Sequence, residues 1–152
     1  VGEIYGQAVI NLFFLVMNIY GWYNWSRKDN SDLNKVQIKF SSRKENILYS
    51  IVSVLLTLSI YWALSNVEIL NYDWKFVLIE SFITALNFIA MWLMAWKRVE
   101  NWVLWIVGDI FCLPLFVFKE YYLSVAQFSI FIIIAFMGYF EWKKKALKNQ
   151  EI

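Results

Sequence analysis

The sequence predicts an all-α integral membrane protein with five transmembrane helices. Of its 152 residues, 61% are hydrophobic and 17% are charged, whereas a soluble domain has about 45–50% apolar and about 25% charged residues. The apolar residues are concentrated in five segments of roughly 18–21 residues, the helix length that crosses about 30 Å of hydrocarbon. A strand interpretation fails because the segments lack alternation and are about twice as long as a barrel strand.

The five predicted spans are delimited by charged and polar residues. No span contains Lys or Arg, and the connections that follow the third and fourth spans are short. Neighbouring helices are therefore expected to pack antiparallel. The spans are Gly6–Trp25, Ile47–Val67, Phe76–Trp96, Asn101–Phe118 and Leu123–Trp142.

Composition also excludes several classes of function. Fourteen basic and twelve acidic residues give a net charge of +2, so charge gives no reason to expect a nucleic-acid partner. The chain has no His and a single Cys, Cys112, so it lacks the commonest metal ligand and general base and cannot form an intrachain disulfide. No cofactor and no metal site are expected.

The basic residues predict the orientation. Twelve of them fall on one side of the predicted spans, and only Lys75 and Lys119 fall on the other. The positive-inside rule makes the first side cytoplasmic, so the C-terminus is expected in the cytoplasm. The long polar segment between Ser26 and Asn46 is interpreted as a solvated linker.

An internal repeat relates the first and last spans. With an offset of 117, several identical residues fall at equivalent positions, and both helices end in aromatic and basic residues. Parallel repeats of this kind occur in transporters. The coinciding pairs include Tyr5 with Tyr122, Phe14 with Phe131, Gly21 with Gly138, and Trp25 with Trp142.

This repeat predicts a division of the chain. Residues 1–28 would be the last helix of a first three-helix unit whose two upstream helices are absent. Residues 29–75 would form a cytoplasmic linker and a connector helix, and residues 76–152 a second three-helix unit with a basic cytoplasmic tail. The chain would then be helices 3–7 of a seven-helix 3+1+3 protein; the alternative is a complete five-helix protein.

Polar residues within the spans are candidate site residues, because polar groups in hydrocarbon are costly. Counted along the helices, Asn18, Asn87 and Asp109 lie in one layer near the membrane midplane. Asn11 and Gln7, with Gln127, would form a second layer closer to the outside. An interhelical hydrogen bond is the alternative role for each Asn.

Asp109 is the strongest candidate, since a carboxylate at the midplane needs a cation, hydrogen-bond donors or water. Trp102 and Trp105 precede it at i, i+3, i+7 spacing, on the same helix face. Two indoles and a carboxylate suit a flat, cationic aromatic ligand. Trp25 and Trp142 are interpreted as interfacial belt residues. Pro114 on the same helix as Asp109 is interpreted as a hinge.

Two motifs resemble the PnuC family of nicotinamide riboside transporters. The stretch from Asn18 to Arg27, NIYGWYNWSR, is similar to the end of the third helix in that family. Trp102, Trp105 and Asp109 match its W-x-x-W-x-x-x-N/D signature on the sixth helix. The resemblance covers essentially the whole chain and implies the seven-helix, SWEET-like 3+1+3 fold.

The resemblance implies a substrate site and a mode of transport. Trp102, Trp105, Asp109 and Asn18 would bind the substrate, with Asn11, Gln7 and Asn87 added from depth alone. The implied activity is facilitated diffusion of nicotinamide riboside across a bacterial plasma (inner) membrane, with the substrate trapped by phosphorylation in the cytoplasm. The sequence agrees in lacking an ATP-binding loop and a proton-relay chain.

Alternatives remain at this point. Relatives carry thiamine or riboflavin, so a thiamine transporter of the same family is one alternative and a non-transporting scaffold subunit another. An enzyme is not expected, because no nucleophile motif, metal set or pair of midplane acids is present. The expected partners are a small-molecule vitamin substrate and the lipid bilayer, with a homo-oligomer left open.

Overall fold

The computed structural model describes residues 2–28, 35–66 and 73–150, with side chains described from residue 8 onward. This part of the chain contains five long helices, one for each predicted span. Their ends lie close to the predicted ones, except that α5 continues beyond Trp142 to Gln150. The helices are α1 (Gly2–Ser26), α2 (Arg43–Ser65), α3 (Trp74–Ala95), α4 (Glu100–Phe118) and α5 (Tyr122–Gln150).

Four of the helices in the described ranges, α2 to α5, are long and apolar enough to cross a membrane. Helix α1 is not among them, although it has 25 residues. The side chains of α1 are described only from residue 8 onward, so the first part of this helix lies outside the described residues. The multi-pass character of the protein therefore rests on α2 to α5, and the span predicted at Gly6–Trp25 stays a prediction.

Helix α3 is the centre of the bundle. It packs against α1, α2 and α4, while α5 packs against α4. Small side chains allow this close approach, since Ser81, Ala85 and Ala90 are fully buried. Small residues at helix interfaces are the usual way in which membrane helices approach one another. Helices α1 and α4 are thus held on either side of one central helix.

The C-terminal end of α1 is fixed to the C-terminal end of α3. The side-chain amide of Asn24 donates to the carbonyl oxygen of Ala95 at 3.0 Å. The indole N–H of Trp25 lies 3.2 Å from the carbonyl oxygens of both Met94 and Ala95. Carbonyls at a helix C-terminus lack the usual partner one turn further along the helix, and the side chains of Asn24 and Trp25 supply donors there. The carbonyl oxygen of Met94 also accepts from the Lys97 amide at 3.0 Å. The two helices consequently end side by side.

The prediction of a solvated linker between Ser26 and Asn46 is wrong for its described second half. The amide of Lys39 donates to the carbonyl of Lys97 at 3.2 Å, and the amide of Val99 donates to the carbonyl of Lys39 at 3.1 Å. The Glu100 carboxylate accepts from the backbone and hydroxyl of Ser41 at 2.9–3.0 Å. The linker packs against the α3–α4 turn because backbone groups of that turn and the Glu100 carboxylate form hydrogen bonds with it.

The start of α2 is attached to the same turn. Ser42 and Glu45 form a capping box, which satisfies amides at the helix start. The Arg98 guanidinium forms an ion pair with Glu45 and donates to the carbonyl of Phe40 at 3.3 Å. The α1 end, the α2 start, the α3–α4 turn and the α5 tail together form what we call the basic end of the bundle.

Helix α5 is longer than predicted because its last part is not a membrane segment. Beyond Trp142 it carries four lysines. Ala146 is nevertheless fully buried, and the Asn149 side chain donates to the carbonyl of Ile38 at 3.0 Å. The tail is a helical extension that packs against the linker.

The opposite end of the bundle carries the α4–α5 turn. There the Lys119 ammonium lies 2.9 Å from the carboxylate of Glu80, which joins α3 to the end of α4. Pro114 lies within α4, and the helix continues through it to Phe118. A proline removes one hydrogen bond of the helix ladder, so a hinge at Pro114 stays a prediction.

Candidate ligand cavity between four helices

A cavity of about 430 Å³ lies between α1, α3, α4 and α5. This volume is within the range of about 300–1,000 Å³ that holds small ligands and cofactors. Most of its walls are aromatic or aliphatic, with three polar side chains among them. The lining residues are Phe14, Asn18, Asn87, Met91, Met94, Trp102, Trp105, Asp109, Phe128, Phe131, Ile134 and Ala135.

The three polar lining residues are the predicted midplane layer. Asn18 comes from α1, Asn87 from α3 and Asp109 from α4. Asp109 is 7% exposed, and it is the one ionisable residue among the described lining residues. A Cβ built on Gly108 would lie 3.3 Å from the Asn87 side-chain oxygen, so this amide lies against α4 beside Asp109. Three polar groups from three helices therefore meet in one cavity.

Two indoles supply unused hydrogen-bond donors. The Nε1 atoms of Trp102 and Trp105 are buried and have no hydrogen-bond partner within the described part of the chain. Buried donors normally have a partner. Both residues line the cavity with other atoms of their side chains, while the Nε1 atoms themselves are covered by protein. The two indoles thus offer a ligand aromatic surface.

Trp105 is held in place by packing. It lies against the buried cluster of Met17, Met91 and Ala95, together with Phe14 and other partly buried aromatics. Its side chain therefore contacts residues of both α1 and α3 from a position on α4. A side chain fixed in this way forms a preorganised wall of the cavity.

Trp102 is accommodated by a glycine on α5. A Cβ added to Gly138 would lie 2.6 Å from the Cζ2 and Cη2 atoms of Trp102. That distance is below van der Waals contact, so an alanine there would displace the indole or the helix. Trp102 also meets Trp142 edge to face, with 5.4 Å between ring centroids. Gly138 thus allows α4 and α5 to approach with an indole between them.

Trp25 and Trp142, interpreted as interfacial belt residues, also contact each other. Their rings contact each other, with centroids 5.9 Å apart, and the Lys97 ammonium lies 5.2 Å from the Trp25 centroid. Burial lowers the pKa of Lys97 from its usual value. The sequence did not predict this contact, because depth in the membrane does not reveal which side of a helix faces a neighbouring helix.

The predicted second polar layer does not belong to this cavity. Asn11 and Gln127 are exposed, and neither is among its lining residues. The side chain of Gln7 lies outside the described residues. Of the seven predicted site residues, the cavity thus brings together Trp102, Trp105, Asp109, Asn18 and Asn87.

The apolar lining residues were not predicted as site residues. Two of them, Phe14 and Phe131, are equivalent positions of the internal repeat. The alignment of the first and last spans therefore pointed to these two residues, whereas a search for polar residues within the spans did not. For Met91, Met94, Phe128 and the others, nothing in the sequence distinguishes a cavity wall from a helix contact.

The membrane-crossing helices define a multi-pass membrane protein. The cavity between them, with its aromatic walls and buried acid, defines a candidate ligand site inside the bundle. Transporters commonly have this architecture, with the site near the midplane. The family model described as nicotinamide mononucleotide transporter matches residues 1–144. The chain belongs to that family of membrane transporters.

Individual relatives agree with this assignment. The chain is 27% identical, over 165 residues, to the nicotinamide riboside transporter PnuC of Escherichia coli, covering 95% of this chain and 69% of that protein. It is 24% identical to the riboflavin/roseoflavin transporter RibM of Streptomyces davaonensis, covering 93% of this chain and 65% of the relative. The resemblance to the PnuC family is thereby confirmed.

The fold also resembles a solved structure. A crystal structure of the vitamin B3 transporter PnuC superposes with a TM-score of 0.74 at 18% identity, covering 96% of this chain and 65% of that one. The chain thus spans about two thirds of the length of the relatives it matches. These relatives are transporters rather than enzymes. Within the described ranges, no group of three His, Cys, Asp or Glu side chains could hold a metal ion.

Proposed function

We propose that the protein carries a small cationic aromatic vitamin precursor, nicotinamide riboside in the first place, across the membrane by facilitated diffusion. The substrate would then be retained by phosphorylation in the cytoplasm, as the family resemblance implies. The observation that carries the proposal is the cavity itself, which combines one buried acid with two indole side chains in its wall.

The charge of the cavity favours a nucleoside over its phosphate. Asp109 is acidic, and neither Lys nor Arg occurs among the lining residues of the described part of the chain. A phosphate group there would lose its hydration next to a carboxylate without gaining a cation, which is strongly unfavourable. The family description names a mononucleotide and the relative from Escherichia coli a riboside. The lining chemistry supports the riboside.

The remaining lining residues suit the other parts of such a molecule. A pyridinium ring near Trp102 or Trp105 would gain stacking and cation–π attraction, the latter worth about 0.5–2 kcal/mol. The side-chain amides of Asn18 and Asn87 can donate to and accept from ribose hydroxyls or a carboxamide. Thiamine is also a cationic aromatic compound, so the same features keep it as the alternative substrate.

The proposal predicts which compounds compete for transport. Full-length protein containing this chain, in proteoliposomes, should take up radiolabelled nicotinamide riboside saturably. Unlabelled riboside should compete strongly, thiamine more weakly, and nicotinamide mononucleotide at least tenfold less than the riboside. Competition by the mononucleotide at equal concentration would contradict the charge argument. Absence of flux for riboside, thiamine and riboflavin alike would favour the scaffold alternative.

We also propose the location and the arrangement of the chain. The basic end would face the cytoplasm of a bacterial cell, with the protein in its plasma (inner) membrane. Within a 3+1+3 plan, residues 1–28 would end the first unit, α2 would be the connector and residues 76–152 the second unit. Support comes from the repeat, since Phe14 and Phe131 line one cavity and Trp25 and Trp142 meet.

Cysteine labelling tests this orientation. Cys112, the one cysteine of this sequence, is replaced by Ser together with any cysteine elsewhere in the full-length protein, and single cysteines are then introduced at Lys119 or Lys143. An impermeant maleimide applied to intact cells is expected to label the cysteine at 119 and not the one at 143. Disrupted cells, in which both should react, serve as the control. Labelling at 143 alone in intact cells would invert the orientation.

A further inference from the structure

Helices α1 and α5 stand on opposite sides of the cavity. In the described part of the chain, no Cα atom of α1 lies within 8 Å of a Cα atom of α5. Phe14 and Asn18 of α1 and Phe131 of α5 line the cavity. Eleven residues beyond Phe14 and Phe131, near the basic end, the rings of Trp25 and Trp142 meet at 5.9 Å. The gap between the two helices is thus bridged at that end by two indoles.

We propose that Trp25 and Trp142 form a gate that closes the cavity toward the basic end, and that Gly138 is the positioning residue that connects this gate to the cavity wall. The inference rests on the proposed transport function, because a gate has meaning only for a cavity that must open. It adds residues that the binding site itself does not contain.

A continuous row of rings links the cavity to the gate. Trp102 lines the cavity and meets Trp142 edge to face at 5.4 Å and 90°. Trp142 then meets Trp25 at an interplanar angle of 56°. Since Gly138 leaves room for the Trp102 indole against α5, one side chain contacts both a bound ligand and the gate. A ligand that shifts Trp102 would therefore shift the partner of Trp25.

The two sides of the gate are anchored differently. Trp25 donates to the carbonyls of Met94 and Ala95, and Asn24 beside it donates to Ala95. The Trp142 side of the gate is held by ring contacts with Trp25 and Trp102. Edge-to-face ring contacts are worth about 0.5–1.5 kcal/mol each, so they can break during a transport cycle. The Trp142 side chain is consequently the part of the gate that would move.

The test measures access to the cavity without any substrate. In full-length protein carrying Cys112→Ser, Met91→Cys places a thiol in the cavity wall. A small cationic methanethiosulfonate reagent is applied to reconstituted vesicles from one face at a time. When the reagent is applied from the basic end, Trp142→Ala is expected to raise the labelling rate at least tenfold over the parent. Trp25→Ala, which removes the other ring of the pair, should raise the rate from the same face by a similar factor.

The matched control is Trp22→Ala, which removes an indole from the same helix but from a position that is 75% exposed. Its labelling rate should equal that of the parent. Gly138→Ala is expected to raise the rate as well, and combining it with Trp102→Phe, whose smaller ring relieves the overlap, should lower the rate again. A structural role for Gly138 alone would change thermal stability without this reversal.

Two results would overturn the gate. One is equal labelling rates from the basic end in the parent, Trp25→Ala and Trp142→Ala proteins. The other is an increase seen only from the opposite face. Because labelling needs no ligand, loss of the proposed substrate would leave this measurement intact. If Trp142→Ala fails to fold, as judged by gel filtration, the Trp25→Ala protein decides.

Discussion

Replacing Asp109 with Leu is expected to reduce the affinity for nicotinamide riboside by more than tenfold. At 4 Å and an effective dielectric of about 20, a carboxylate attracts a cation by roughly 4 kcal/mol, much of which offsets the desolvation of both charges. Removing one partner of a buried charge pair commonly costs about 2–5 kcal/mol. Titration calorimetry on detergent-purified protein measures the loss.

Asp109→Asn is the matched variant. It keeps the shape and the hydrogen bonding of the side chain and removes only the charge, so the affinity should fall less than in Asp109→Leu. Transport by facilitated diffusion needs no protonation cycle, and Asp109→Asn protein should still carry substrate down its gradient. Equal losses in both variants would mean that the charge alone, with no contribution from hydrogen bonding, accounts for the effect of Asp109 on affinity.

The same variant separates facilitated diffusion from proton coupling. Uptake is measured in vesicles with and without a pH gradient, for wild-type and Asp109→Asn protein. Facilitated diffusion predicts no accumulation driven by the pH gradient in either protein. Accumulation that depends on the gradient in the wild type alone would identify Asp109 as a carrier of the coupling proton and would contradict the proposal.

Trp105→Ala is expected to weaken substrate binding by roughly 1–3 kcal/mol, the usual loss when an aromatic partner of a stacked base is removed. The loss should be large because Trp105 is both a cavity wall and part of the cluster around Met17, Met91 and Ala95. Calorimetry gives the affinity, and a thermal unfolding curve shows how much of the effect is structural.

The control for Trp105 is Trp62→Ala on α2, where the indole is 71% exposed and distant from the cavity lining. Its affinity for the substrate should match that of the wild type. Comparable losses of affinity at both positions would show that tryptophan removal weakens the bundle as a whole, and would withdraw Trp105 from the site.

The helices and the polar part of the cavity could be predicted from the sequence because both depend on the composition and position of residues along the chain. Span length and hydropathy locate helices, and counting residues from the helix ends gives depth. Depth placed Asn18, Asn87 and Asp109 in one layer, and the structure brings them into one cavity. Asn11 was placed by the same count and lies elsewhere, because depth gives no information on the direction in which a side chain points.

The packed linker and the aromatic contacts near the basic end could not be predicted for a different reason. Polarity made residues 35–42 resemble a solvated segment, but their backbone pairs with the α3–α4 turn through hydrogen bonds that any sequence can form. The contact between Trp25 and Trp142 depends on the relative rotation of two helices separated by 117 positions. Such rotations are set by packing against third elements, here α3 and α4.

A cavity with one acid and no base among its described lining residues has a consequence for energetics across the bilayer. If the Asp109 charge stays with α4 while a cationic substrate crosses, each transport event moves one net positive charge. The membrane potential then contributes about 2.3 kcal/mol per 100 mV. An inside-negative potential of that size would hold the cation at roughly fiftyfold higher concentration inside at equilibrium. Facilitated diffusion through this site would thus concentrate its substrate in a cell that maintains a membrane potential. Fluxes of different variants in vesicles can therefore be compared only at the same, clamped voltage.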